Sequence, residues 1–101
     1  MDEAKKPKLG QIVKSIQGRD AEKFAIIIGI VDERFVWTAD GDKRKFDQPK
    51  KKNLSHLELL DEISSEVVES MMENGRVTNG KLRYALNRFG DRPEDVQEKG
   101  E

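Results

Sequence analysis

The spacing of apolar residues changes near residue 57, and this change divides the chain into two halves of different secondary structure. Before it, short apolar runs are separated by turn residues, and the longest run, Phe24–Val31, is rich in β-branched side chains. Such a run predicts a central strand that is buried on both faces, or on one face with strong twist. Three further strands are expected around it, at 9–16, 35–39 and 43–47.

Turn residues between these runs indicate how the strands connect. Gly18 and the two residues after it form one turn signal, and Asp32–Arg34 forms another. Asp40-Gly41 fits a two-residue type I′ turn, which requires a positive φ at both positions. Gly29, inside the central run, indicates a bulge or a close backbone approach. A fifth strand around 56–59 would close a small barrel.

After residue 57 the apolar residues recur every three or four positions with acidic residues between them, which is the pattern of an amphipathic helix. The apolar face of this helix is expected to carry Leu60, Ile63, Val67 and Met71. Asn74-Gly75 would end the helix, and a second one would run from a cap at Thr78 or Asn79 to Gly90. The two helices either pack on the barrel as a hairpin or offer their apolar stripes to a partner.

The predicted fold class is therefore α+β, with a small β-barrel at 8–58 followed by a pair of helices at 59–90. The tail, 91–101, is mostly charged and is expected to be disordered. Residues 1–56 carry 13 Lys and Arg against 9 Asp and Glu, whereas residues 57–101 carry 6 against 11. This asymmetry indicates either a basic binding face joined to an acidic segment or ordinary surface charge.

Several functional classes are excluded by what the chain lacks. It has no cysteine and one histidine, which excludes a disulfide framework, a zinc–thiolate site and a thiol nucleophile. There is no nucleophile elbow and no glycine-rich phosphate loop, so we expect no enzymatic activity, cofactor, metal or small-molecule substrate. The N-terminus lacks an apolar signal segment, and the longest apolar run is too short to cross a bilayer. The expected location is the cytoplasm, without a membrane partner.

Four segments between residues 9 and 57 resemble the KOW motif of RNA-binding proteins. Leu9–Asp20 has glycines eight residues apart, and the long apolar strand follows it. Ala39–Arg44, Pro49–Asn53 and His56-Leu57 are similar to small bacterial KOW-domain proteins, which are themselves similar to a class of archaeal and eukaryotic large-subunit ribosomal proteins. The resemblance implies an SH3-like barrel that binds RNA, usually rRNA, or ribosomal and transcription partners. One departure is Ala21-Glu22-Lys23, where many KOW motifs place a Gly-Lys pair.

The residues expected to contact RNA are basic or polar and lie in the barrel half. Lys50, Lys51 and Lys52 follow a proline that favours an extended backbone. The remaining predicted RNA-binding residues are Lys14, Gly18, Arg19, Lys23, Lys43, Arg44, Lys45, Asn53 and His56. Together the cations would neutralise about four to six phosphates, so binding would weaken steeply with salt. Alternation along a strand at 43–47 would separate Lys43 and Lys45 from Arg44.

Some of these assignments have structural alternatives. The lysine run would equally suit a solvated loop or the protection of a sheet edge against aggregation. Trp37 would stack on a base or, more simply, fill the core or cover the mouth of the barrel, and Phe24 and Phe35 are expected in the core. Asp20 is expected to cap its turn or to pair with Arg19.

The leading functional hypothesis is a non-enzymatic, ribosome-associated RNA-binding protein, with rRNA as its main partner and ribosomal proteins as further partners. The alternative is a protein-interaction module that binds a ribosomal or transcription partner through the barrel or the acidic helices. In a third hypothesis the acidic half folds over the basic half and lowers its affinity for RNA.

Overall fold

The computed structural model describes residues 6–19 and 21–90. These residues form an antiparallel five-stranded sheet, a short 3-10 helix and two α-helices, so the fold class is α+β as predicted. In chain order the elements are β1 (Gln11–Ser15), β2 (Phe24–Ile30), β3 (Phe35–Ala39), β4 (Lys50–Asn53), the 3-10 helix (Leu54–His56), β5 (Leu57–Ile63), α1 (Ser65–Asn74) and α2 (Asn79–Gly90). Asp20 and the tail predicted to be disordered, 91–101, lie outside the described residues.

β2 is the middle strand of the sheet, whose order is β4-β3-β2-β1-β5. Its residues Ile26, Ile27 and Ile28 are all buried. Ile26 and Ile28 belong to a helix-side core, which α1 and α2 complete with Val67 and Leu82. Ile27 belongs to a second core on the other face of the sheet. The prediction of a central strand is confirmed, and of its two alternatives burial on both faces is the one observed.

The bulge predicted at Gly29 is also confirmed. Ile27 pairs with Thr38 and Gly29 pairs with Trp37, so the register of β2 against β3 shifts by one residue between these pairs. A Cβ atom on Gly29 would lie 3.2 Å from Trp37 Cδ1. The missing side chain therefore allows the indole to lie close against the backbone of β2.

The prediction that the first helix includes Leu60 and Ile63 is wrong, because both residues lie in β5. β5 pairs with β1, and the register is irregular next to Gln11. The Gln11 side chain is buried there, where its Nε2 donates to the carbonyl of Leu60 at 2.8 Å and its Oε1 accepts from the backbone N–H of Lys8 at 2.9 Å. The backbone of β5 is thus hydrogen-bonded to a distant strand and to the Gln11 side chain. The helix-like spacing of its apolar residues therefore does not produce a helix.

Capping residues set the actual helix limits. The Ser64 hydroxyl accepts from the N–H of Val67 at 3.3 Å, so α1 begins after Ser64 and is ten residues long, shorter than predicted. α1 ends as predicted at Gly75, whose φ is +74°. Of the two predicted caps of α2, Thr78 is the capping residue, because its hydroxyl accepts from the N–H of Lys81 at 3.1 Å.

The strand predicted at 43–47 is absent, and these residues form bends and turns. Asp40 Oδ1 accepts from the N–H groups of Asp42 and Arg44, and Asn79 Oδ1 in α2 accepts from the N–H of Phe46 at 2.7 Å. These side chains bind N–H groups that a strand would have donated to its neighbour. The fourth strand instead begins at Lys50.

The type I′ turn predicted at Asp40-Gly41 is wrong as well. Gly41 has a φ of +82°, but Asp40 does not have the positive φ that this turn requires at its first position. Asp40 acts as a turn residue through its carboxylate instead, because that carboxylate accepts from the N–H groups of Asp42 and Arg44. The connection between β3 and β4 is therefore a longer loop that α2 helps to hold.

β4 and β5 are the two outer strands, and they do not pair with each other within the described residues. The closure expected of a barrel is therefore not confirmed. The 3-10 helix joins these strands, and its Leu54 packs on the second core, whose buried members are Val13, Ile27, Val36 and Leu57. Within the described part of the chain, no helix has the length and apolar content needed to cross a membrane.

Candidate nucleic-acid interface

The lysine run forms the outer strand β4, so of its two structural alternatives the sheet edge is observed and the solvated loop is not. Lys50 and Lys52 lie opposite Thr38 and Val36, whereas Lys51 lies opposite Trp37. Because alternate residues of a strand face opposite sides of the sheet, Lys51 lies on the helix side and its two neighbours lie on the side of the second core. The three cations thus surround an edge of the sheet.

An open groove of about 470 Å³ brings the first turn and the lysine strand together. We call it the turn groove. It is lined by residues 17–19, Phe35, residues 50–53 and His56. Arg19 and the three lysines, more than thirty positions apart in the chain, therefore share one basic surface.

A second groove of about 300 Å³, which we call the strand groove, shares Lys50 and Lys52 with the turn groove. Its other cations are Lys23, Lys43 and Arg44. The bends after Asp40 carry two of these cations, which the absent strand was expected to hold. Together the two grooves gather ten of the twelve predicted RNA-binding residues. No residue of α1 or α2 lines either groove. Only α1 is acidic, because α2 has no Asp or Glu and carries Lys81, Arg83 and Arg88.

Lys14 and Lys45 are the two predicted residues that line neither groove. Lys14 Nζ lies 3.2 Å from Glu22 Oε1, in an ion pair that is largely exposed on the glutamate side. Glu22 belongs to the segment that departs from the KOW pattern, and its carboxylate neutralises a cation expected to meet phosphate. Lys45 is exposed on the bends before β4.

Glu22 also adopts a left-handed backbone, with a φ of +75°, a conformation in which a Cβ atom is unfavourable. We therefore expect Glu22→Gly to be more stable than Glu22→Ala by about 1 kcal/mol, the reverse of the usual order of these residues. Neither variant retains the ion pair with Lys14, so their difference isolates the backbone effect. Urea denaturation followed by circular dichroism measures it, and an alanine variant as stable as the glycine variant would contradict it.

Two polar residues of the turn groove have structural roles. Asn53 Oδ1 accepts from the N–H of Ser55 at 2.9 Å and so caps the 3-10 helix. Its amide NH₂ group is the part suited to a ligand acceptor. His56 is exposed, and its carbonyl accepts from the N–H of Ile16 at 3.0 Å, which extends the pairing of β1 with β5.

Lys51 is placed by an aromatic ring and by a nearby carboxylate. Its Nζ lies 4.8 Å from the centroid of the Phe35 ring, within the range of a cation–π contact. Asp32 accepts from the N–H groups of Arg34 and Phe35, and these bonds, together with the positive charges of Lys51 and Arg34, lower the pKa of its carboxyl group below the ordinary value of 3.8. The Asp32 carboxylate therefore remains ionised near neutral pH, and its two hydrogen bonds hold this turn in place.

The aromatic residues are less enclosed than a core position requires. Phe24, expected in the core, is 38% exposed. Trp37 is 39% exposed, so of its alternative roles the filling of the core is not observed. Phe35 is half-buried and lines the turn groove, a role that the sequence did not indicate. Alternation along the third strand places Phe35 and Trp37 on one face, but only the pairing with β4 brings lysines beside them.

No protein-family model matches the chain. The chain is 54% identical over 54 residues to a Bacillus subtilis (strain 168) protein named "Putative ribosome-binding protein YbzG". The match covers 54% of this chain and 73% of that protein. Identity of this level across most of the relative shows common descent. The chain belongs to the same protein family as YbzG.

Proposed function

We propose that this protein is a non-enzymatic, ribosome-associated protein that binds RNA phosphates through the turn groove and the strand groove. The name of its relative YbzG describes ribosome binding, and ribosomes present dense phosphate charge on rRNA. The observation that carries the proposal is the convergence of Arg19 with Lys50, Lys51 and Lys52 in one open groove. RNA recognition begins with this kind of concentrated positive surface.

The charge balance of the grooves supports phosphate binding. Seven cations line them: Arg19, Lys23, Lys43, Arg44, Lys50, Lys51 and Lys52. Asp40 is the only acidic residue among the described residues that line either groove, and two backbone N–H groups already bind its carboxylate. Seven cations on one surface are sufficient for the four to six phosphates expected from the sequence, at about one phosphate per cation.

The same proposal includes a KOW-type, SH3-like architecture for the sheet. Two features favour it. The second core contains residues of β1, β2, β3 and β5, and Leu54 from the connection between β4 and β5 packs on it. A sheet that encloses its own apolar cluster in this way is strongly curved, which a small barrel open between β4 and β5 would require.

A second candidate function is the binding of a basic ribosomal protein through the helices. Glu66, Glu69 and Glu73 of α1 line an open groove of about 550 Å³ together with Lys81 and Tyr84 of α2. The spacing of the glutamates at three and four residues places them on one helix face. This acidic groove is complementary to a basic surface and not to RNA.

The experiment that tests the proposed function measures binding of the purified protein to ribosomes and to protein-free rRNA transcripts at two salt concentrations. We expect binding to both, with a loss of affinity of about 100-fold or more between about 50 and 200 mM salt. Binding to ribosomes that survives salt, without binding to the transcripts, would overturn phosphate recognition. That result would favour contact with a ribosomal protein.

A further inference from the structure

We infer that Trp37 stacks on an unpaired base, so that the RNA held by the turn groove is single-stranded beside β3. This inference rests on the proposed function and specifies the class of RNA. Its basis is the position of the exposed indole directly across the sheet ladder from Lys51.

The exposure of Trp37 results from where the helices end on the sheet. Ala39 lies on the same face of β3 and is fully buried in the helix-side core. Two residues earlier, about 7 Å along the strand, the helices no longer cover the sheet, and Trp37 is 39% exposed. The neighbours Val36 and Thr38, on the opposite face, are buried. The indole is therefore presented outward on a rigid strand.

Gly29 allows the Trp37 side chain to lie close to the backbone of β2. It pairs with Trp37 across the ladder, and a Cβ atom there would lie only 3.2 Å from Trp37 Cδ1. The base of the Trp37 side chain therefore lies close to the backbone of β2, because Gly29 has no side chain. An aromatic side chain held at its base and 39% exposed is a suitable platform for a nucleobase.

Lys51 provides the charge that accompanies stacking. It lies opposite Trp37 in the ladder, while its ammonium group lies 4.8 Å from the centroid of the Phe35 ring. The Lys51 ammonium group therefore lies over the Phe35 ring. Trp37 remains as the aromatic residue on which a base can stack. Phe35 and Trp37 are two residues apart on the same face of β3, so a phosphate bound at Lys51 would lie about 7 Å along the strand from Trp37.

This geometry selects single-stranded RNA. In an A-form duplex the base faces are stacked on each other, and the deep, narrow major groove does not admit a strand-borne side chain. Sequence-tolerant recognition of single strands combines a basic groove with aromatic side chains, which is the combination present here. The competing occupant of an exposed tryptophan is an apolar patch of a protein partner, and it is an outcome of the test.

Trp37 is the sole tryptophan of the chain, so its fluorescence reports this position alone. We expect a short oligouridylate to quench it, and an RNA duplex of equal charge to bind without comparable quenching. Trp37→Ala should lower the affinity for oligouridylate about 5- to 100-fold, and Trp37→Phe should lower it less because a ring remains. The matched control is Tyr84→Ala, which removes an aromatic residue that is 50% exposed on α2, a helix that contributes no residue to either groove, whereas β3 contributes Phe35 and Thr38.

The outcomes separate this inference from the proposed function. Salt-dependent RNA binding that is equal in the parent, Trp37→Ala and Trp37→Phe, without quenching, would overturn the stacking role and leave phosphate recognition intact. Absence of RNA binding by the parent would overturn both. Quenching by a purified ribosomal protein but not by oligouridylate would assign Trp37 to a protein contact and overturn the inference. Circular dichroism of each variant verifies that it is folded.

Discussion

Replacement of Lys50, Lys51 and Lys52 together by glutamate is expected to lower the affinity for rRNA by about 100-fold or more at moderate salt. The three lysines lie on both faces of β4, and all three line the turn groove. Their loss removes about three phosphate contacts and introduces repulsion. The slope of log affinity against log salt should therefore decrease by about 2 to 3.

Folding should withstand this change. The ladder between β4 and β3 is made by the backbone, and charged side chains of either sign protect an outer strand. The contact of Lys51 with the Phe35 ring would be lost, which costs about 0.5–1 kcal/mol at an exposed site. A urea denaturation curve of the variant identifies any larger loss of stability.

A matched control carries the same change of charge away from the grooves. Lys6, Lys45 and Lys81 are exposed and line neither groove, so their combined replacement by glutamate alters net charge without altering the basic surface. We expect it to weaken binding by less than about tenfold, through the general field of the protein. Equal losses in the two triple variants would show that net charge, and not the groove, determines RNA affinity.

The second large effect is expected at the contact between α2 and the loop after β3. A Cβ atom on Gly41 would lie 2.4 Å from the carbonyl oxygen of Asn79 and 3.0 Å from Leu82 Cβ, and Gly41 has a φ of +82°. Gly41→Ala should therefore reduce the free energy of unfolding by about 3 kcal/mol or more. Left-handed strain contributes about 1–2 kcal/mol of this, and overpacking contributes about 1–3 kcal/mol.

Gly75→Ala is the control that isolates the overpacking. Gly75 has a similar φ of +74°, but an added Cβ atom would meet no neighbour within 4 Å. Its replacement should cost only about 1–2 kcal/mol, from backbone strain alone. Both free energies of unfolding are measured by urea denaturation, and equal values would show that α2 does not pack tightly on the loop.

The same contact connects stability with the proposed site. Arg83 donates to the carbonyl of Gly41 at 2.7 Å, and Asn79 accepts from the N–H of Phe46. α2 thus holds both ends of the bends that carry Lys43 and Arg44. We expect Gly41→Ala to weaken RNA binding through the strand groove while leaving the turn groove functional.

Features that depend on neighbours in the chain were predictable from the sequence. The β-branched run around Ile27 specified a strand buried on both faces, and Gly29 specified its bulge. Gly75 and Thr78 specified where one helix ends and the next begins. Each of these signals is local, since it depends on side-chain period, a preferred φ or a hydroxyl cap. The basic residues that line the grooves were also recognisable as candidate phosphate-binding residues, because residue type is a local property of the sequence.

Features that depend on distant partners were decided by the tertiary structure. Leu60 and Ile63 fit a helical period, yet pairing with β1 and the buried amide of Gln11 place them in a strand. The expected strand at 43–47 is lost because Asn79, in a helix more than thirty residues later, binds one of its N–H groups. Local spacing contains no information about such partners.

The sequence by itself determined an α+β chain with a central apolar strand and a concentration of lysines after residue 42. Only the tertiary structure decided that three of these lysines form an outer strand beside Arg19, that Glu22 neutralises Lys14, and that Trp37 is exposed opposite Lys51. The physical reason is that a charge pattern along the chain contains the number of cations but not their positions in space. Whether these cations share one surface depends on strand register and on where α1 and α2 cover the sheet.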